Sequence, residues 1–150
     1  MLVIGVGNPY REDDGVGRWV AQHLRSFRVP GLTIIEHDGE GTALMQVWAG
    51  WDNVLVVDAM RSGAPQGTLT QIDARAQSVP VRLFHTTHSF GVAEAVELAR
   101  ALGELPDRLR IYGIEGGRYG EGCALTPAVL ATAQAVVRLI VQEMNTVRHA

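Results

Sequence analysis

The stretch "LVIGVGNPYREDDGVGRWV", Leu2 to Val20, decides the fold. Its first five residues are a short, continuous apolar run rich in β-branched side chains, as expected of a strand covered on both faces. The loop "GNPYRED" follows, and then Val16, Val20, Leu24 and Phe27 recur at spacings of four and three, the stripe of an amphipathic helix. Asp13 or Asp14 is placed to cap that helix, because a carboxylate accepts the free N–H groups of a first turn. Pro30-Gly31 ends it. A buried strand, a loop and a helix are the opening of a parallel β-α-β arrangement.

The pattern continues outward from there. "LTIIEHD" at 32–38 reads as a second strand, and Thr42 as the cap of a short helix holding Leu44, Val47 and Trp48, with Gly50 at its end. "VLVVDAM" at 54–60, the most apolar stretch in the chain, is a third strand. "GTLTQID" at 67–73 alternates and is expected at a sheet edge, whereas 74–87 lacks periodicity and reads as loop. A helix is expected from His88 or Ser89, with Val92, Val96, Ala99 and Leu102 inward and Gly103 just past its end. "RLRIYGI" at 108–114 is a further strand. Thr126-Pro127 opens a last helix whose inward face is Val129, Ala133, Val136, Val137, Ile140 and Met144, and the tail "TVRHA" is expected to fray. The order β-α-β-α-β-β-α-β-α predicts an α/β fold: a three-layer α/β/α sandwich on a mainly parallel, twisted sheet of about five strands. Residues 1–150 are expected to form a single domain, a size sufficient for one hydrophobic core.

Composition narrows the function classes. With 13 Lys+Arg against 16 Asp+Glu, the net charge of -3 lacks the positive field of a non-specific nucleic-acid binder. One cysteine cannot form an internal disulfide, no apolar run reaches the roughly 18 residues of a membrane span, and Met1 leads into the first strand without a basic leader. A cytoplasmic protein without nucleic-acid or membrane partners is expected, and a monomer.

The acids fall in a pattern. Asp14 follows the first strand, Asp38 ends the second, Asp58 closes the apolar core of the third, His88 lies at an expected helix start and Glu115 follows "RIYGI". In a parallel sheet all five lie on the carboxyl edge, where open α/β folds hold their ligands. Asp58 is costly to bury unless paired, hydrogen-bonded or metal-bound. Each residue alone has a structural explanation, capping for Asp14 and Asp58 and packing for His88. Together, oxygen and imidazole ligands suit a divalent transition metal such as nickel or zinc. His85, three residues from His88, is a secondary candidate. "GVGNPY" lacks the third glycine of a dinucleotide site and carries acids where a pyrophosphate would sit. Cys123 has no visible histidine partner and reads as a small packing residue. No "GxSxG" or "HExxH" is present.

"GVGNPYREDDGVG" at 5–17, "HDGEGTALM" at 37–45, "VLVVDAM" at 54–60, "THSFGVAEAVELA" at 87–99 and "IYGIEG" at 111–116 together resemble the [NiFe]-hydrogenase maturation endopeptidases, in order and spacing over almost the whole chain. The resemblance implies an endopeptidase that removes the C-terminal extension of a hydrogenase large-subunit precursor after nickel insertion. It also implies nickel brought by that precursor, contacted by Asp14, Asp58 and His88, and a catalytic set of these three with Asp38. The family's "DGGT" segment falls on Asp38-Gly39-Glu40-Gly41-Thr42, so Asp38, Gly39, Glu40 and Gly41 are expected to contact substrate, with Glu40 an added acid. Gly116 stands where many relatives have proline. A non-catalytic checkpoint that binds the precursor to sense nickel loading is the competing expectation.

Overall fold

The computed structural model describes residues 1–84 and 86–148. Five strands, β1 (Leu2–Val6), β2 (Thr33–His37), β3 (Asn53–Met60), β4 (Leu69–Asp73) and β5 (Arg108–Glu115), form one sheet in the order β2-β1-β3-β5-β4. All neighbours run parallel except β4, which lies antiparallel on β5 at the sheet edge. The helices are α1 (Val16–Ser26), α2 (Gly41–Trp48), α3 (Val92–Ala101) and α4 (Pro127–Arg148).

The continuous apolar strands make sense once both faces are covered. Leu2, Ile4, Val6, Val54 and Val56 pack with α2 and α3 into one core cluster; Val3, Leu55 and Val57 pack with α1 and α4 into the other. The result is the expected three-layer sandwich. Glycine brings α1 close to the sheet: a Cβ on Gly17 would collide with the backbone oxygens of Val6 and Val57. The inward face read for α4 is buried as expected, from Val129 to Met144. Gly103 takes a positive φ of 68° just past α3, as a helix-ending residue should.

Several local expectations are corrected. Neither Asp13 nor Asp14 caps α1; a 3-10 turn over Glu12–Gly15 intervenes, Gly15 is the N-cap, and both carboxylates are used elsewhere. Thr42 does not cap α2. Glu40 does, its carboxylate accepting from the Thr42 and Ala43 N–H groups at 3.0 and 2.7 Å. α3 starts at Val92 rather than at His88 or Ser89, because Gly91 is extended and its N–H is taken by the Glu94 carboxylate at 3.0 Å. Phe27 and Leu102 are exposed, not inward, since each follows the last turn of its helix. The segment read as plain loop contains a 3-10 turn over Val81–Leu83 and a bridge from Phe84 to Met60. Thr146 to Arg148 continue α4 instead of fraying, while His149 and Ala150 lie outside the described residues. Cys123 is exposed rather than packed.

Candidate functional site

The chain leaves β1 through α1 towards β2 and returns through α2 to β3, on the other side of β1. The gap between the carboxyl ends of β1 and β3 is therefore the point where the strand order reverses, the usual ligand crevice of an open α/β sheet. The β1–β3 pairing ends at Gly5 and Val57, one residue before Asp58. A cavity of about 390 Å³ opens there, lined among others by Gly7, Asn8, Asp14, Arg18, Asp38, Gly39, Asp58 and His88.

Each acid is held by local backbone. Gly7 adopts a φ of 140°, which turns the chain at the end of β1, and a Cβ there would collide with the Asp14 carbonyl oxygen. The turn brings the Asn8 N–H to the Asp14 carboxylate at 2.9 Å. Asp14 is buried, as is Asp58, whose Oδ1 accepts from the Ala59 N–H at 2.8 Å. Burial, with the neighbouring Asp14 charge adding to it, holds the Asp58 carboxyl well above its ordinary value. These two carboxylates are the floor of the crevice.

Asp38 and His88 form the opposite, more exposed wall. Asp38 Oδ1 accepts from the Glu40 N–H at 2.9 Å and lies 3.8 Å from His88 Nε2 and 3.5 Å from His37 Nδ1. The Glu40 N–H, more than the two histidines, draws the Asp38 carboxyl below its ordinary value. His37 Nδ1 accepts from the Gly39 N–H at 2.9 Å, so its proton is assigned to Nε2. Burial lowers the His37 imidazole. The segment carrying His88 is fixed to α2 by the Gly41 N–H, which donates to the Phe90 carbonyl at 2.8 Å. A Cβ on Gly41 would run into the Phe90 ring, so this close approach needs glycine.

The structure thus brings Asp14, Asp38, Asp58, His88 and Gly39 to one crevice. Glu40 and Gly41, the cap and first residue of α2, are not among the residues that line it. Glu115 departs from the expectation: it is buried on the same sheet edge, but its carboxylate is taken by the Ser62 N–H and hydroxyl. His85 lies outside the described residues. Among the described residues, no three His, Cys, Asp or Glu side chains converge closely enough to hold a metal ion. The crevice therefore offers an acidic floor and an imidazole wall rather than a finished cage.

Two residues were missed in the sequence. Asp13 is fully buried and accepts from the Gly117, Arg118 and Thr126 N–H groups at 2.8, 3.0 and 2.8 Å, tying the loop before α4 to the turn that carries Asp14. Its signal was its place beside Asp14, which a capping role seemed to exhaust. Arg18 reaches the crevice from the first turn of α1, directly after the close-packed Gly17. Gly116 leaves the room that Tyr119 fills; a Cβ there would overlap the Tyr119 hydroxyl.

Comparison with known proteins agrees with this architecture. A family model described as hydrogenase maturation protease matches residues 19–143. The chain is 26% identical over 151 residues to a hydrogenase 2 maturation protease of Escherichia coli K12, covering 97% of this chain and 90% of that protein. It is also 29% identical over 120 residues to the hydrogenase expression/formation protein HupD of Thiocapsa roseopersicina, covering 77% of this chain and 53% of that one. Among solved structures, the hydrogenase maturating endopeptidase HybD of E. coli superposes with a TM-score of 0.78 at 22% identity, covering 97% and 91% of the two chains. HybD of Thermococcus kodakarensis superposes with a TM-score of 0.75 at 20% identity, over 95% and 97%.

Proposed function

The chain belongs to the hydrogenase maturation protease family, and on that premise we propose that it removes the C-terminal extension of a [NiFe]-hydrogenase large-subunit precursor once nickel has been inserted. Membership makes it a hydrolase acting on peptide bonds. The observation that carries the finer reading is the pair of buried carboxylates, Asp14 and Asp58, at the strand-order reversal, faced by Asp38 and His88 across a cavity open to solvent.

Two carboxylates buried side by side repel, and a divalent cation relieves that repulsion. Nickel arriving in the precursor brings ligands of its own, so the enzyme needs to add only a few. Asp14 and Asp58 supply oxygen donors and His88 an imidazole nitrogen. The nickel is cargo of the substrate and marks it as ready for cutting.

The chemistry follows from the residues present. A water adds to the scissile carbonyl in the crevice, the peptide C–N bond breaks, and the water's proton passes to the leaving amine, leaving a carboxylate on the processed subunit. Asp38, drawn below the ordinary carboxylate range, is ionised at neutral pH and orients water or substrate through its exposed oxygen. It lies 3.8 Å from His88 Nε2, close enough for the two side chains to act on the same bound group. Gly39, Glu40 and Gly41 present the rim along which the precursor's tail lies. A resident organic cofactor has no part in this scheme, and the reaction is placed in the cytoplasm. Among the described residues no helix is long and apolar enough to cross a membrane.

The test is incubation with nickel-loaded and nickel-free precursor side by side, read by mass. Loss of a short C-terminal peptide from the loaded form alone is expected, and Asp14→Ala and His88→Ala variants should fold but leave the loaded precursor intact. An unchanged mass with a stable complex would instead establish a nickel-loading checkpoint. Normal processing by both variants would sink the ligand assignment.

A further inference from the structure

Resting on that protease reading, we propose that Arg18 is a substrate-positioning residue, whose guanidinium receives an oxygen acceptor from the precursor segment lying in the crevice.

Arg18 is held in place but not satisfied. Its Nε lies 3.2 Å from Glu36 Oε1, close enough for Coulomb attraction. That nitrogen is nevertheless buried without a hydrogen bond, because its N–H is not directed at the carboxylate. Glu36 spends its hydrogen-bonding capacity on others: Oε1 accepts from Gln22 Nε2 at 2.9 Å, and Oε2 is taken by Arg25. The terminal nitrogens of Arg18 find no acceptor among the described residues. The four N–H donors of its two terminal nitrogens thus remain for an incoming acceptor, on a quarter-exposed side chain that lines the crevice.

The position is as informative as the missing bonds. Gly17 presses the first turn of α1 onto the ends of β1 and β3, so the next side chain emerges beside the cavity. The other ionisable side chains described there are Asp14, Asp38, Asp58, His88 and Tyr10. A substrate carbonyl or carboxylate entering such a site faces acidic side chains, and Arg18 is the arginine among the described residues that lines it. The fork accepts either a main-chain carbonyl or an acidic side chain of the precursor, both planar oxygen acceptors suited to guanidinium.

The test compares wild type, Arg18→Ala, Arg18→Lys and Arg25→Ala in the full chain, each titrated with nickel-loaded precursor for Kd and assayed for cleavage. Loss of a hydrogen bond to a charged group predicts a Kd about 10- to 100-fold weaker for Arg18→Ala. Partial recovery is expected in Arg18→Lys, which restores charge without the fork. Arg25→Ala removes a partner of the same Glu36 from outside the crevice, and it should bind like wild type; equal weakening there would reduce Arg18 to a structural ion pair and overturn the proposal. Precursor whose tail acids are changed to amides separates the two acceptors: the Arg18→Ala penalty vanishes for a side-chain carboxylate and persists for a main-chain carbonyl. An Arg18→Ala affinity equal to wild type overturns the assignment whatever happens to cleavage. Failure of wild type to cut a precursor that it binds overturns the protease reading and leaves Arg18 to be judged on affinity.

Discussion

Asp58 shows what the site demands of a single residue. Its carboxyl is buried beside Asp14, and its folded-state value is raised above the ordinary one. Folding favours the protonated form, so the side chain imposes no charge penalty below its unfolded value. The penalty grows as pH rises above that value and levels off past the folded one. Asp58→Asn should therefore raise Tm over wild type at pH 7, with the gain shrinking towards nothing near pH 4, while abolishing cleavage of the loaded precursor. Paired thermal melts at the two pH values check it; a variant less stable than wild type at pH 7 contradicts the burial argument. The residue is retained at a cost to the fold, as expected of a functional carboxylate.

At the scale of elements, Glu40 turns the added acid of the "DGEG" segment into the N-cap of α2. Glu40→Ala should lower Tm by about 2–4 °C, the ordinary effect of losing one cap in a chain of this size, whereas Glu40→Gln, which keeps an acceptor, should lower it less. Differential scanning calorimetry of the two variants decides between a capping and a purely substrate-facing role. The same residue shows what was legible in advance. Strands and helices buried on an apolar face, such as β3 and α4, were readable because hydrophobic periodicity is a property of the residues themselves. The carboxyl-edge placement of Asp14, Asp38 and Asp58 followed from it. Caps and helix starts were less readable: Thr42, Glu40 and Gly41 are all plausible at the start of α2, and only the path of the chain selects among them. The position of His88 ahead of α3 depends on the Gly41 N–H reaching the Phe90 carbonyl, a contact between segments about fifty residues apart. Arg18 was invisible for the same reason, since an arginine on a helix has no signature until its neighbours are known to ignore it.

Across the whole molecule, separate layers are tied by a few polar contacts. Arg110 on β5 grips Glu143 on α4 with two hydrogen bonds of 2.6 and 2.8 Å, and this partner holds the Glu143 carboxyl below its ordinary value. A depressed carboxyl contributes stability above its unfolded value and loses it as pH falls through the folded one. Glu143→Gln should accordingly destabilise the protein at pH 7, by about 1 kcal/mol given the part-exposed pair, and the difference from wild type in urea unfolding should shrink as pH falls towards 3. A difference that persists unchanged at pH 3 would assign the effect to packing instead. Asp13 makes a longer connection still, accepting hydrogen bonds from residues 104 to 113 positions further along the chain. The turn that carries Asp14 is therefore anchored by the segment that follows β5 and by the loop before α4. A chain cut short before Gly117 would lack the N–H groups that hold Asp13, and with them the anchor of the turn beside the crevice.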